Sequence, residues 1–216
     1  MRAGAGAVRL APRDPQATAP PDVILRGEPL DELLADDRTG AVLVGPGLGR
    51  DGKARETLAE ALAADLPTVA DADALALLYA GQVEDHRGPL VLTPHEGELA
   101  RLVESFEIEA QGKLAQARAL AERTGAVVIA KGPDTVVAAP DGRTVLAPSP
   151  TSWLSVGGTG DVLAGIVASR LAATHDPFAA ACGGVWLHGE AARLAGPAFL
   201  ASDLARKVSD AYAAAL

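Results

Sequence analysis

The 216-residue chain has a single cysteine, Cys182. One thiol excludes an intrachain disulfide and any zinc site built from several cysteines. Its place after Ala179-Ala180-Ala181 suits a small core residue. Aromatic residues are only 3% of the chain, so the core must be built from Ala, Val and Leu. Positive charge is short as well: 19 Lys and Arg face 28 Asp and Glu, a formal net charge of −9. That balance excludes a nonspecific nucleic-acid binder, which needs a basic face. It does not exclude a small phosphate ligand, because helix N-termini hold anions without net positive charge. No apolar run approaches the roughly 18 residues of a membrane span. The opening Met1-Arg2-Ala3-Gly4 lacks the apolar stretch of a signal peptide. The expectation is a cytoplasmic protein with neither nucleic-acid nor membrane partners.

What is present is an alternation of short apolar runs and helical patterns. Strands are predicted near 7–11, 41–44, 68–70, 90–92 and 127–130. Helices are predicted at 30–34, 52–64, 74–79, 111–124, 160–173, 177–195 and 202–215, the last with Ser202 as N-cap. Gly125 suits the residue just beyond a helix C-terminus. Residues 135–139 and 144–147 flank Pro140-Asp141-Gly142-Arg143, a hairpin signal. The proline-rich stretch 12–21 reads as an exposed loop. Strands alternating with helices give a mostly parallel sheet covered on both faces. Ligands of such sheets bind beyond the carboxyl ends of the strands. The polar motifs all follow strands or enter helices, so they are expected to converge on one edge.

The densest motif is Gly157-Gly158-Thr159-Gly160-Asp161, which opens an apolar helix. Helix N-terminal amides lack intrahelical partners, and glycine lets a phosphate approach them closely. Asp161 would repel that anion, so it reads as a base or a cation ligand. Capping of the helix is the plainer alternative. Gly45-Pro46-Gly47-Leu48-Gly49 is a second glycine-rich strand-to-helix loop, read as a close approach to ligand or as a tight turn. Asp71 and Asp73 lie at a strand end, as ligand-binding groups or as caps of the following helix. Thr93-Pro94-His95-Glu96-Gly97-Glu98 presents a hydroxyl, an imidazole and carboxylates in one loop. Lys131 ends an apolar strand and should point into the crevice, toward a phosphate or into a salt bridge. His188 lies mid-helix and reads as a packed, hydrogen-bonded histidine without chemistry.

Together these segments resemble the ADP/ATP-dependent NAD(P)H-hydrate dehydratases, a branch of the ribokinase-like superfamily. They are RAGAGAVRL (2–10), VGPGLG (44–49), DADAL (71–75), LTPHEGE (92–98), KGPDT (131–135), GGTGDVLAG (157–165) and His188-Gly189 followed by Ala191. The resemblance implies a three-layer ribokinase-like sandwich, in a single domain over 1–216 that lacks the helix and small-residue loop which usually precede RAGAG. Glu96 stands where the family usually has proline.

The activity implied is repair of hydrated NADH and NADPH, removing the added water at the expense of ADP or ATP, with magnesium. By motif, Gly157, Gly158, Thr159 and Gly160 would form an anion hole and Asp161 would be the base. Lys131, Gly132 and Thr135 would line the nucleotide site. Gly47, Asp71, His95 and Glu98 would face the hydrated dinucleotide. No residue is expected to be a dedicated metal ligand. A homo-oligomer and an epimerase domain or partner are also implied. A small-molecule kinase of the thiazole or hydroxymethylpyrimidine type, or a nucleotide binder without turnover, are the competing readings.

Overall fold

A computed structural model describes residues 2–12, 16, 18–25, 27 and 29–215. Its elements, in chain order, begin with β1 (Arg9–Leu10), β2 (Ile24–Leu25), α1 (Leu30–Leu34), β3 (Val42–Val44) and α2 (Gly52–Ala63). Then come β4 (Thr68–Ala70), α3 (Asp73–Leu77), α4 (Ala80–Asp85), β5 (Leu90–Leu92), α5 (Glu96–Ser105), α6 (Lys113–Thr124) and β6 (Val127–Ala130). The chain closes with β7 (Asp134–Ala138), β8 (Thr144–Pro148), a 3₁₀ turn (Ser152–Ser155), α7 (Thr159–Thr174), α8 (Pro177–Ala195) and α9 (Ala201–Ala213). β1 and β2 form a small parallel pair apart from the main sheet.

Strands β3 to β8 lie side by side in sequence order, β3 to β6 parallel and β7 and β8 antiparallel. Each parallel step joins neighbouring strands, so the right-handed crossover rule places α2 to α6 on one face. The side chains divide accordingly. Val44, Ala70, Leu92, Val128 and Ala130 pack with α2, α3, α5 and α6. Val69, Val91, Val127 and Ile129 pack against α7 and α8. This is the period-two alternation of a sheet covered on both sides. α9 closes over α7 and α8 through a third apolar cluster around Leu187, Leu204 and Val208. Cys182 packs half-buried against the α7–α8 cluster. Among the described residues no helix is long and apolar enough to cross a membrane.

Several local expectations are corrected. Residues 93–98 are not one loop: His95 is the N-cap of α5, and the Glu98 carboxylate accepts the His95 N–H at 2.8 Å. An acidic residue three places after the cap was the overlooked signal. The helix expected at 74–79 is the short α3, and α4 follows it unforeseen. Neither Asp71 nor Asp73 caps α3. Ser202 lies inside the first turn of α9, which starts after Leu200; the Asp203 carboxylate accepts the Leu200 N–H at 3.1 Å. The expected hairpin and the left-handed Gly125 at the end of α6 are present. Residues 13–15 and 17 of the expected proline-rich loop lie outside the described residues.

Candidate active site

Parallel pairing brings the carboxyl ends of β3, β4, β5 and β6 to one edge. The antiparallel β7–β8 hairpin adds its open end there, because Ala130 pairs with Val136 and Asp134 with Pro148. From Pro148 the chain passes through the 3₁₀ turn into α7, so the 157–160 glycines reach the same edge.

Lys131 and Asp71 form the electrostatic centre. Lys131 leaves the end of β6 and donates from Nζ to Asp71 Oδ1 at 2.8 Å, with the Asp71 side chain 2% exposed. Burying this carboxylate without a partner would cost several kcal/mol, on the order of 3–5. Lys131 thus makes its salt bridge inside the crevice rather than at the surface. Glu98 Oε2 lies 4.0 Å from the same ammonium. A methyl group on Gly160 would sit 3.3 Å from Lys131 Nζ, so the amine touches the first turn of α7. Asp161 belongs to this group electrostatically. Partial burial raises its carboxyl above the ordinary range, the charge of Asp71 raises it further, and Lys131 opposes both.

The α7 N-terminus is built differently from a capped helix. Gly158 occupies the cap position with φ 86°, and no side chain accepts from the first-turn amides. Thr159 anchors the turn: its hydroxyl lies 2.7 Å from Leu154 O and 2.8 Å from Val156 O, and its N–H donates to Val156 O at 3.3 Å. Its side chain is therefore turned away from the crevice. The amides of Gly160 and Asp161 have no acceptor among the described residues. Behind the turn, His188 is buried and its Nε2–H donates to Thr159 O at 2.9 Å. Burial, aided by the Lys131 charge, depresses its pKa to about 4, so the ring is neutral. The structure thus agrees with a packed, hydrogen-bonded histidine.

The remaining predicted residues flank this centre. On the β3–β5 side, His95 Nδ1 accepts from the amides of Gly97 and Glu98 at 3.0 and 3.2 Å, which leaves its proton on Nε2, 3.4 Å from Glu98 Oε1. The imidazole is exposed and held by its capping bonds. Gly47 is exposed, with φ 71° and open space around it. Asp73 holds the 45–49 loop in place, accepting from Gly49 N at 3.0 Å and Arg50 Nε at 2.7 Å. On the β6–β8 side, the Thr135 hydroxyl donates to Gly132 O at 3.2 Å. Lys113 is the residue missed there. Its Nζ donates to Asp134 O at 2.6 Å and pairs with Asp134 Oδ1 at 2.9 Å, and it would lie 2.5 Å from a methyl on Gly132. A lysine in the first turn of a helix opposes the helix dipole, and that was the available clue.

The chain matches, over residues 1–213, the family described as Carb_kinase: NAD(P)H-hydrate dehydratase. It is 38% identical over 195 residues to the bifunctional NAD(P)H-hydrate repair enzyme Nnr of Mycobacterium leprae, covering 88% of this chain and 40% of that protein. It is 40% identical over 179 residues to the ADP-dependent (S)-NAD(P)H-hydrate dehydratase of Neisseria meningitidis, covering 80% of this chain and 60% of that one. The chain therefore spans about two fifths of the first relative and three fifths of the second. Among solved structures, it superposes on the ADP/ATP-dependent NAD(P)H-hydrate dehydratase of Bacillus subtilis, co-crystallized with ATP/Mg2+ and soaked with CoA. The TM-score is 0.75 at 29% identity, covering 90% of this chain and 74% of that one. Fold, motif order and sequence agree, and the chain belongs to the NAD(P)H-hydrate dehydratase family, with the ribokinase-like architecture.

Proposed function

We propose that this chain dehydrates hydrated NADH and NADPH at the expense of ADP or ATP. The observation that carries the reading is a carboxylate of raised basicity, Asp161, one residue from free helix N-terminal amides and within the field of the Lys131–Asp71 pair. Amides without acceptors suit the transferring phosphoryl group. A carboxylate whose pKa is raised takes a proton more readily than an ordinary one. Asp161 accepts the proton of the hydrate's hydroxyl as that oxygen attacks the terminal phosphorus of the nucleotide, and the phosphoanhydride bond breaks. Phosphate then leaves carbon in place of hydroxide. The ring nitrogen's lone pair expels it, and loss of a proton from the neighbouring carbon restores the double bond.

Gly157, Gly158 and Gly160 make the anion hole in this reading, with Thr159 anchoring the loop from below. Lys131, Gly132 and Thr135 line the nucleotide side; Gly47, Asp71, His95 and Glu98 face the dinucleotide. In this reading a magnesium ion would be carried by nucleotide phosphate oxygens and water rather than by a protein cage. Such an ion neutralises phosphate charge when bound. The reading extends to a cytoplasmic homo-oligomer working with an epimerase domain or partner.

The test is to supply the chain with hydrated NADPH, magnesium and either ADP or ATP, and to follow the reduced-nicotinamide absorbance. Recovery only with nucleotide, with release of inorganic phosphate, is expected. A stable phosphorylated organic product would instead identify a kinase.

A further inference from the structure

The proposed reaction uses only the nicotinamide end of its substrate, yet the rest of a dinucleotide must lie somewhere. The nucleotide side of the site is at β6–β8, so that half must extend across the ends of β3 to β5. Next to the 45–49 loop on that side, a cleft of about 220 Å³ lies between α2, α3 and α5. Its volume is several times the roughly 30 Å³ share of one liquid water. Arg50, Arg55 and Arg101 line it together with Ser105, over a floor that includes Leu77 and Leu102. Three guanidinium groups around one cleft run against a chain of net charge −9.

These arginines are largely uncommitted. Arg50 donates from Nε to Asp73 Oδ1 at 2.7 Å, and its side chain is 56% exposed. Arg101 donates from Nε to Gly97 O at 3.1 Å, within its own helix. The Arg55 side chain has no hydrogen-bond or ion-pair partner among the described residues, and the residue is exposed. Among the described residues Asp73 is the one carboxylate that engages the group. The same contacts tie the cleft to the site: Arg50 follows the 45–49 loop, and Arg101 bonds the turn that His95 caps. Guanidinium forks match phosphate oxygens and stack on aromatic bases.

We infer that this cleft binds a phosphate of the dinucleotide's adenosine half, with the base or ribose on the leucine floor. The inference rests on the dehydratase reading for the identity of its ligand. The phosphate is either the 2′-phosphate that separates NADPH from NADH or the diphosphate that both carry.

The experiment is calorimetric binding by wild type, Arg55→Gln, Arg101→Gln and the double variant. Saturating ATP and magnesium occupy the nucleotide side. Adenosine 2′,5′-bisphosphate, AMP and NAD+ are the probes. Arg87→Gln is the control, since Arg87 is exposed and precedes β5 at the opposite edge. Each substitution in the cleft is expected to weaken the bisphosphate by about tenfold, with the control unchanged. Loss confined to the bisphosphate assigns the 2′-phosphate; equal loss for NAD+ assigns the diphosphate. Equal binding by wild type and double variant, or an equal loss in Arg87→Gln, overturns the inference. Binding is read without turnover, so a chain that fails to repair hydrates sinks the dehydratase reading and leaves this result to be judged alone. If repair is observed, KM for the hydrate should rise in the double variant while kcat holds.

Discussion

Two glycine-rich loops enter helices at the same edge of the sheet; one is closed by carboxylates and the other opens on a glycine cap. In the 45–49 loop, Leu48 N donates to Gly45 O at 3.0 Å and Gly49 N to Asp73 Oδ2 at 3.0 Å. The helix that follows is capped by Asp51, whose carboxylate accepts from Ala54 N at 3.0 Å. In the 157–160 loop the cap is a glycine, no carboxylate meets the amides, and those of Gly160 and Asp161 remain open. Glycine density alone does not make an anion site. What differs is the charge already set at the helix start: Asp51 caps α2 with a carboxylate, whereas α7 has a glycine at its cap and no side chain there to compete with an anion.

The comparison can be broken at several points. The largest effect is expected on turnover. Asp161→Asn keeps the shape of the open loop and removes its base, so kcat should fall by roughly 10²–10⁴-fold. Nucleotide should still raise Tm as in wild type, by mass action on the folded state. Full turnover in this variant would exclude Asp161 as the base.

In the closed loop the expected effect is on stability. Gly45 has φ 128°, and a methyl there would lie 1.8 Å from Asp71 O and 2.9 Å from the Ala74 methyl. Gly45→Ala should cost about 3 kcal/mol or more in urea unfolding, through strain and displacement of the Asp71 backbone. Gly47→Ala, with open space around it, should cost only about 1 kcal/mol. Equal losses would mean that the loop yields freely.

A pH titration probes the support behind the open loop. The pKa of His188 is near 4 in the folded protein against an ordinary value of about 6.5. Between those values the unfolded chain binds more protons. Stability is therefore fully present above about pH 6.5 and is lost as pH falls toward 4, by on the order of 3 kcal/mol. His188→Gln should flatten this dependence in Tm measured across that window. An unchanged slope would assign it to other groups.

A smaller effect is expected at the clamp of the closed loop. Asp73→Asn weakens the bonds to Gly49 and Arg50 and should cost about 1–2 kcal/mol. Nucleotide-induced stabilisation should be unaffected, because α7 is untouched. A loss of nucleotide binding would show that the two loops are coupled.

Much of this was legible beforehand. The four-residue run Val127-Val128-Ile129-Ala130 is apolar on both faces, as a central strand must be, and it is one. The 160–173 and 177–195 helices appear within a residue, because long apolar periodic segments have no competing conformation. His95 was harder. Histidine is an unusual cap, so a capping box led by it looked like a polar loop. Lys113 was hidden for another reason: its partner Asp134 lies 21 residues away, and pairing at that range has no local signature.

The sequence by itself determined the class of fold, the edge on which polar groups gather and the residue types of the site. These follow from periodicity, from glycine placement and from the parallel-sheet rule, all of which act locally or through topology. Only the tertiary structure decided which donors and charges remain unpaired. It satisfied Gly49 with Asp73, bound Asp71 to Lys131, turned the Thr159 hydroxyl inward and left the Gly160 and Asp161 amides of α7 open. Satisfaction of a polar group depends on what stands within about 3 Å of it. In this fold those neighbours come from strands and helices far apart in the chain.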